Sequence, residues 1–120
     1  MRLPHLDQRI HLPWGEAGQL AQAIEWVLCR QLEPPARPTL ALVLSFGPLY
    51  RVRGRLLARH WVEQHHVGER PRRPWRLSLR YEEVAALLLI WEQAPAAGGA
   101  WGEIQRVSLN LTRYVDFDKR

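Results

Sequence analysis

Residues 40–56 read Leu-Ala-Leu-Val-Leu-Ser-Phe-Gly-Pro-Leu-Tyr-Arg-Val-Arg-Gly-Arg-Leu, and this stretch admits two folds. As a strand, Arg51, Arg53 and Arg55 alternate with Tyr50, Val52, Gly54 and Leu56. As a helix, Arg51, Arg55 and Arg59 line one stripe, and the residues that dominate Leu56 to Gln64 are helix formers. Residues 104–117 pose the same question. Ile104, Val107, Leu111, Tyr114 and Val115 make one helical face, whereas Val107, Leu109, Leu111, Val115 and Phe117 all fall on odd positions. Composition favours helix in both, with Pro48 expected to kink or restart the first of them because it removes a donor and crowds the preceding turn.

Outward from these stretches the periodicity is plainer. Ala17, Leu20, Ile24, Val27, Leu28 and Gln31 follow the three-four spacing of one helical face, so a helix is expected over 15–32. Tyr81 to Gln93 carries Glu82 and Glu83 in its first turn, where acids suit the helix dipole, and it is apolar nearly all round, which marks the most buried helix. Breaker-rich stretches at 33–38, 68–74 and 94–99 separate the segments. The expected fold is one domain over 1–120, mainly α, with four helices and a minor two-stranded element. Its core should contain Leu20, Ile24, Leu87, Ile90 and Leu111.

A weak internal repeat supplies the strands. At an offset of 67, Arg9 falls on Arg76, Leu12 on Leu79, Glu16 on Glu83, Leu20 on Leu87 and Glu25 on Glu92. A duplication of 9–66 and 76–120 would place short strands at about 9–13 and 76–80, paired across a pseudo-twofold axis. The same offset lays Leu40 to Ser45 over Val107 to Thr112. If both were strands the fold would be α+β, a ferredoxin-like β-α-β-β-α-β order with a basic insertion.

The chain has a formal net charge of +5, unevenly spread. The window Arg51 to Arg80 holds nine arginines against Glu63 and Glu69, while the rest of the chain is net acidic. A local excess makes a patch with its own potential, suited to phosphate or an acidic protein surface. Arg51, Arg55 and Arg59, one helical turn apart, could follow a phosphate backbone without reading sequence. Arg70, Arg72 and Arg73 flank prolines that hold the loop extended, and Trp75 and Arg76 follow. Trp75 either stacks on a base between arginines or opens the strand and caps the core.

Sites for chemistry are scarce. His60, Glu63, His65 and His66 come nearest to a metal site, but the second histidine arrives one residue late for the zinc-hydrolase spacings. Solvated histidines at a helix end explain them more simply. Ser45, Ser78 and Ser108 sit in no nucleophile motif, and Gly98-Gly99 has no following lysine to make a phosphate loop. Cys29, the lone cysteine, is expected to pack beside the first helix's apolar face, as are Trp26, Trp91 and Trp101 in the core. No apolar run reaches the roughly 18 residues of a membrane span, and with no apolar stretch behind the charge of the first nine residues a secretory signal is not expected. The expected function is therefore a non-catalytic accessory or adaptor subunit in the cytoplasm, without cofactor or metal. Arg51, Arg55, Arg59, Arg70, Arg72, Arg73, Trp75 and Arg76 would hold RNA or DNA backbone beside a larger protein partner. A protein-only interaction or oligomerisation module meeting an acidic partner is the alternative class, and a metal-dependent hydrolase the third.

Overall fold

The computed structural model describes residues 6–113, in the order β1 (Gln8–Leu12), α1 (Glu16–Leu32), α2 (Leu40–Gln64), β2 (Trp75–Leu79), α3 (Tyr81–Ile90) and α4 (Ala100–Leu111). A 3-10 turn, Trp91–Gln93, extends α3. The architecture is mainly α with a small two-stranded antiparallel sheet, and β-α-α follows β-α-α along the chain. Tyr114, Val115 and Phe117, and the end of the expected duplication, lie outside the described residues.

Residues 40–56 are helical throughout, which removes the ferredoxin-like alternative; residues 107–111, its other required strand, belong to α4. Thr39 starts α2 by accepting the Leu42 N–H at 3.2 Å on its hydroxyl. Leu42, Leu49, Val52 and Leu56 then fall on one side and are buried, a spacing that only a helix brings to one face. The helix runs through Pro48 and does not restart there. The carbonyl that loses its donor is that of Leu44, an exposed residue, so water can serve it.

The strands pair with Gln8 opposite Leu79, Ile10 opposite Leu77 and Leu12 opposite Trp75. Both show the same inside-outside alternation: Ile10, Leu12, Leu77 and Leu79 are buried, and Arg9, His11, Arg76 and Ser78 face solvent. A two-stranded sheet is marginal alone. Here its inner face joins a core containing Leu20, Ile24, Leu87, Ile90 and Leu111, each fully buried as expected.

Both sheet edges are occupied by side chains. Along β1, Glu103 of α4 accepts the His11 N–H at 2.9 Å, and Arg106 donates to the Arg9 carbonyl at 3.4 Å. Along β2, the guanidinium of Arg55 in α2 donates to the Ser78 carbonyl. These contacts satisfy backbone groups that would otherwise be open to another strand.

Helices α1 and α2 meet closely at Gly18, where a Cβ would lie 2.4 Å from His60 Nδ1. His60 is thus a packing residue of the helix pair. Glutamates serve three helix starts: Glu63 accepts the Gly15 N–H before α1 at 3.1 Å, Glu83 the Arg80 N–H before α3 at 2.8 Å, and Glu16 the Gly99 N–H before α4 at 2.6 Å.

Three core expectations are corrected. Trp101 is buried and donates from Nε1 to the Pro95 carbonyl at 3.0 Å, but Trp26 and Trp91 are exposed. Trp26 lies two residues from Ile24, about 200° around the helix, and Arg30 sits 4.7 Å over its ring. Trp91 comes after the last turn of α3, beyond the packed face. Cys29 is exposed as well, on the outer side of α1.

Candidate nucleic-acid interface

The arginines of the basic window divide into two groups, and glutamates decide which is which. Arg51, Arg55 and Arg59 rise from α2 toward the β2–α3 junction and the end of the sheet. Arg55 reaches Glu83 at 2.7 Å, and Arg51 lies 3.5 Å from Glu83 and 3.6 Å from Glu82. Arg59 bonds Glu63 at 3.2 Å, one helical turn further along. Glu63 and Glu83 are buried, so each carboxylate needs these partners to leave water. The stripe read from the sequence as a track for phosphate is therefore largely neutralised within the chain.

The second group stands free. Arg72 and Arg73 lie on the exposed stretch between α2 and β2, Arg76 on the outer face of the sheet, and Arg80 just beyond it. Among the described residues, no carboxylate comes within ion-pair distance of any of them. From residue 69 to residue 80 the chain carries five arginines and only Glu69 as counter-charge. Arg76 is registered opposite His11, and Ser78 opposite Arg9, so the solvent face of the sheet extends the same basic surface.

Between the two groups lies a small aromatic cluster. The Arg59 guanidinium sits 5.5 Å from the Trp14 ring and 5.6 Å from the Trp75 ring. Arg70 also lies over Trp14 at 5.5 Å, and the His66 ring meets Trp14 edge-on at 5.0 Å. Trp75 is half-buried and packs against the core as the first residue of β2. The cluster holds Arg59 and Arg70 and joins the end of the sheet to α2. Of the two roles considered for Trp75, strand opening and core capping is the one its contacts describe. Sequence reasoning missed Trp14, although its place in the turn after β1, opposite the start of β2, follows from the strand pairing itself.

The histidines do not converge. His60 packs against Gly18, His65 stacks on Trp61 at 4.2 Å, and His66 Nε2 contacts the Glu69 carbonyl at 2.6 Å. Glu63 is engaged by Gly15 and Arg59. Among the described residues no three of His, Cys, Asp and Glu come together as a metal site. No helix among them is long and apolar enough to cross a membrane.

Glu103 has its carboxyl held below the usual glutamate range, chiefly by its hydrogen bond with Arg106, with the His11 N–H adding to the effect and partial burial opposing it. The same bond raises Arg106 above its ordinary value. This pair fastens α4 to β1.

Comparison of the chain with protein-family models, curated proteins and solved structures finds no match in any of the three.

Proposed function

We propose that this protein is a non-catalytic accessory subunit that holds nucleic-acid backbone on the surface formed by residues 70–76 and the outer face of the sheet, within a larger assembly in the cytoplasm. The observation that supports this reading is the sorting of the arginines: Glu63, Glu82 and Glu83 answer the helical ones, while Arg72, Arg73 and Arg76 keep their charge unanswered on one exposed surface. Guanidinium groups on an exposed bend, at Arg72 and Arg73, and on the adjoining strand, at Arg76, suit bidentate contact with phosphate, and phosphate contact carries no sequence information. Arg51, Arg55 and Arg59 take a secondary part here, holding β2 and the aromatic cluster in place beneath that surface. Trp75 supports the surface from below.

The test is binding of labelled single-stranded and duplex RNA and DNA across a salt series. Each phosphate neutralised contributes roughly 0.7 to 0.9 to the slope of log K against log salt, so Arg72→Glu with Arg73→Glu should lower the magnitude of that slope by about 1.4 to 1.8. Weakening should be the same for every sequence. Absence of salt-sensitive binding in the wild type would refute the proposal and leave an acidic protein surface as the partner for the same arginines.

A further inference from the structure

The outer side of α2 is apolar along its whole length. Val43, Tyr50, Leu57 and Trp61 are between 39% and 60% exposed, and Leu40 is 74% exposed. With Gly47 and Gly54, also exposed, they recur at alternating steps of three and four: 40, 43, 47, 50, 54, 57, 61. That is the repeat of a coiled-coil seam, and it lies opposite the side formed by Leu42, Leu49, Val52 and Leu56 that serves the chain's own core. A helix needs one apolar stripe to join its domain; α2 has two.

We propose that α2 pairs with α2 of a second copy of this chain, antiparallel, about a twofold axis that crosses the seam at the height of residue 52. The order of residue sizes selects this occupant. Reversing the seam about position 52 sets Gly47 against the partner's Leu57, Gly54 against the partner's Tyr50, and Val43 against the partner's Trp61. Each glycine meets a large side chain and Trp61 meets the smaller Val43, as interdigitating layers require, while Leu40 at the end of the seam falls opposite Gln64. The matching is with itself, which is the condition for an isologous dimer.

Area agrees with the pairing, and charge opposes it at one point. The 25-residue helix is about 37 Å long, and a third of its accessible circumference gives roughly 500 Å² per copy. The pair therefore buries about 1,000 Å², the lower bound of a specific interface, so a weak, concentration-dependent dimer is expected. Arg51 lies at the edge of the seam and approaches its own symmetry mate, but Glu82 and Glu83 already meet its charge. Arg53, at the other edge, has Glu25 at 4.0 Å. Arg80, which shares a hollow with Tyr50 and Gly54 and has no carboxylate partner among the described residues, is an unpaired charge beside the seam, so the dimer should tighten as salt rises.

Gly54 provides a test that folding cannot mimic. Nothing lies within 4 Å of a Cβ built there, so Gly54→Leu should raise the melting temperature of the monomer by improving helix propensity. The same change fills the seat of the partner's Tyr50 and should weaken association at least tenfold. Sedimentation equilibrium of the full chain from about 1 to about 100 µM should show the wild type passing from monomer to dimer. Tyr50→Ala should weaken the dimer, and Tyr50→Ala combined with Gly54→Leu should restore it, because the layer is then filled from the other side. In a Cys29→Ser background, Gly47→Cys and Leu57→Cys chains should cross-link on mixing, whereas Leu57→Cys alone should not, its two copies standing about 15 Å apart along the axis. A wild type that is monomeric at every concentration overturns the proposal, with the seam left for a different protein. So does a dimer unaffected by Gly54→Leu, or one cross-linked by Leu57→Cys alone.

Discussion

Arg55 and Arg106 perform the same task on opposite edges of the sheet. Arg55 donates to the Ser78 carbonyl and to Glu83, and Arg106 donates to the Arg9 carbonyl and to Glu103. Ser78 and Arg9 are themselves paired across the sheet. Each arginine stands on the second helix of one β-α-α unit and closes the strand of the other, so the units are joined by the sheet and by reciprocal arginine locks. The two locks differ in burial. Glu83 is 2% exposed in its side chain and Glu103 27%, and their energetics should differ accordingly.

Arg55→Ala leaves Glu83 buried with Arg51 and a backbone N–H as its remaining donors, and should cost about 2 to 4 kcal/mol. Arg106→Ala exposes a pair already half in water and should cost about 0.5 to 1 kcal/mol. Urea unfolding of the two variants checks the order; equal losses would show that Glu83 does not depend on Arg55.

The Glu103 lock is also sensitive to acid. Its folded carboxyl titrates below the usual range, so the stability it contributes is present above the unfolded glutamate value, about 4.3, and is lost as pH falls through the lower folded value. Thermal melts of wild type and Glu103→Gln should therefore differ near neutral pH and converge in strong acid.

Reversing the helical arginines should disrupt folding before it disrupts binding. Arg51→Glu, Arg55→Glu and Arg59→Glu together would crowd three new carboxylates against Glu63, Glu82 and Glu83, and circular dichroism should show a lowered melting temperature or an unfolded chain. Arg72→Glu with Arg73→Glu, on exposed backbone without acidic partners, should leave the melting curve within about 0.5 kcal/mol of wild type.

Core substitutions should separate inner from outer residues of the helices. Leu20→Ala, Ile24→Ala and Leu87→Ala should each cost about 2 to 5 kcal/mol. Cys29→Ser, on the exposed side of α1, should change stability by less than about 0.5 kcal/mol. Trp75→Ala should lower the melting temperature, because the ring packs on the core and under Arg59.

Local periodicity was enough to determine two of the four helices, α1 and α3, and with them Leu20, Ile24, Leu87 and Ile90 of the buried set; the two short strands came from the internal repeat, and α2 and α4 from composition. Burial follows from spacing along one element, and spacing is written in the chain. The ambiguity at 40–56 also yielded to composition, since the arginine alternation that suggested a strand is equally a feature of a helix presenting several arginines. Trp26 and Cys29 were misplaced for a different reason: apolar identity was weighed above angular position, which already put both on the outer side of α1. Glu63 stands one turn after Arg59 on the same helix and that pair is written in the spacing, but the partners of Arg51 and Arg55 could not be read this way. Whether a cation faces water or a buried carboxylate depends on which distant element folds over it, and Glu82 and Glu83 reach the stripe only when β2 and α3 are packed against α2. Tertiary structure alone decided which arginines remain available to a partner, because the electrostatic cost of burying a glutamate forces nearby arginines to pair with it and leaves free those on backbone that no acid approaches.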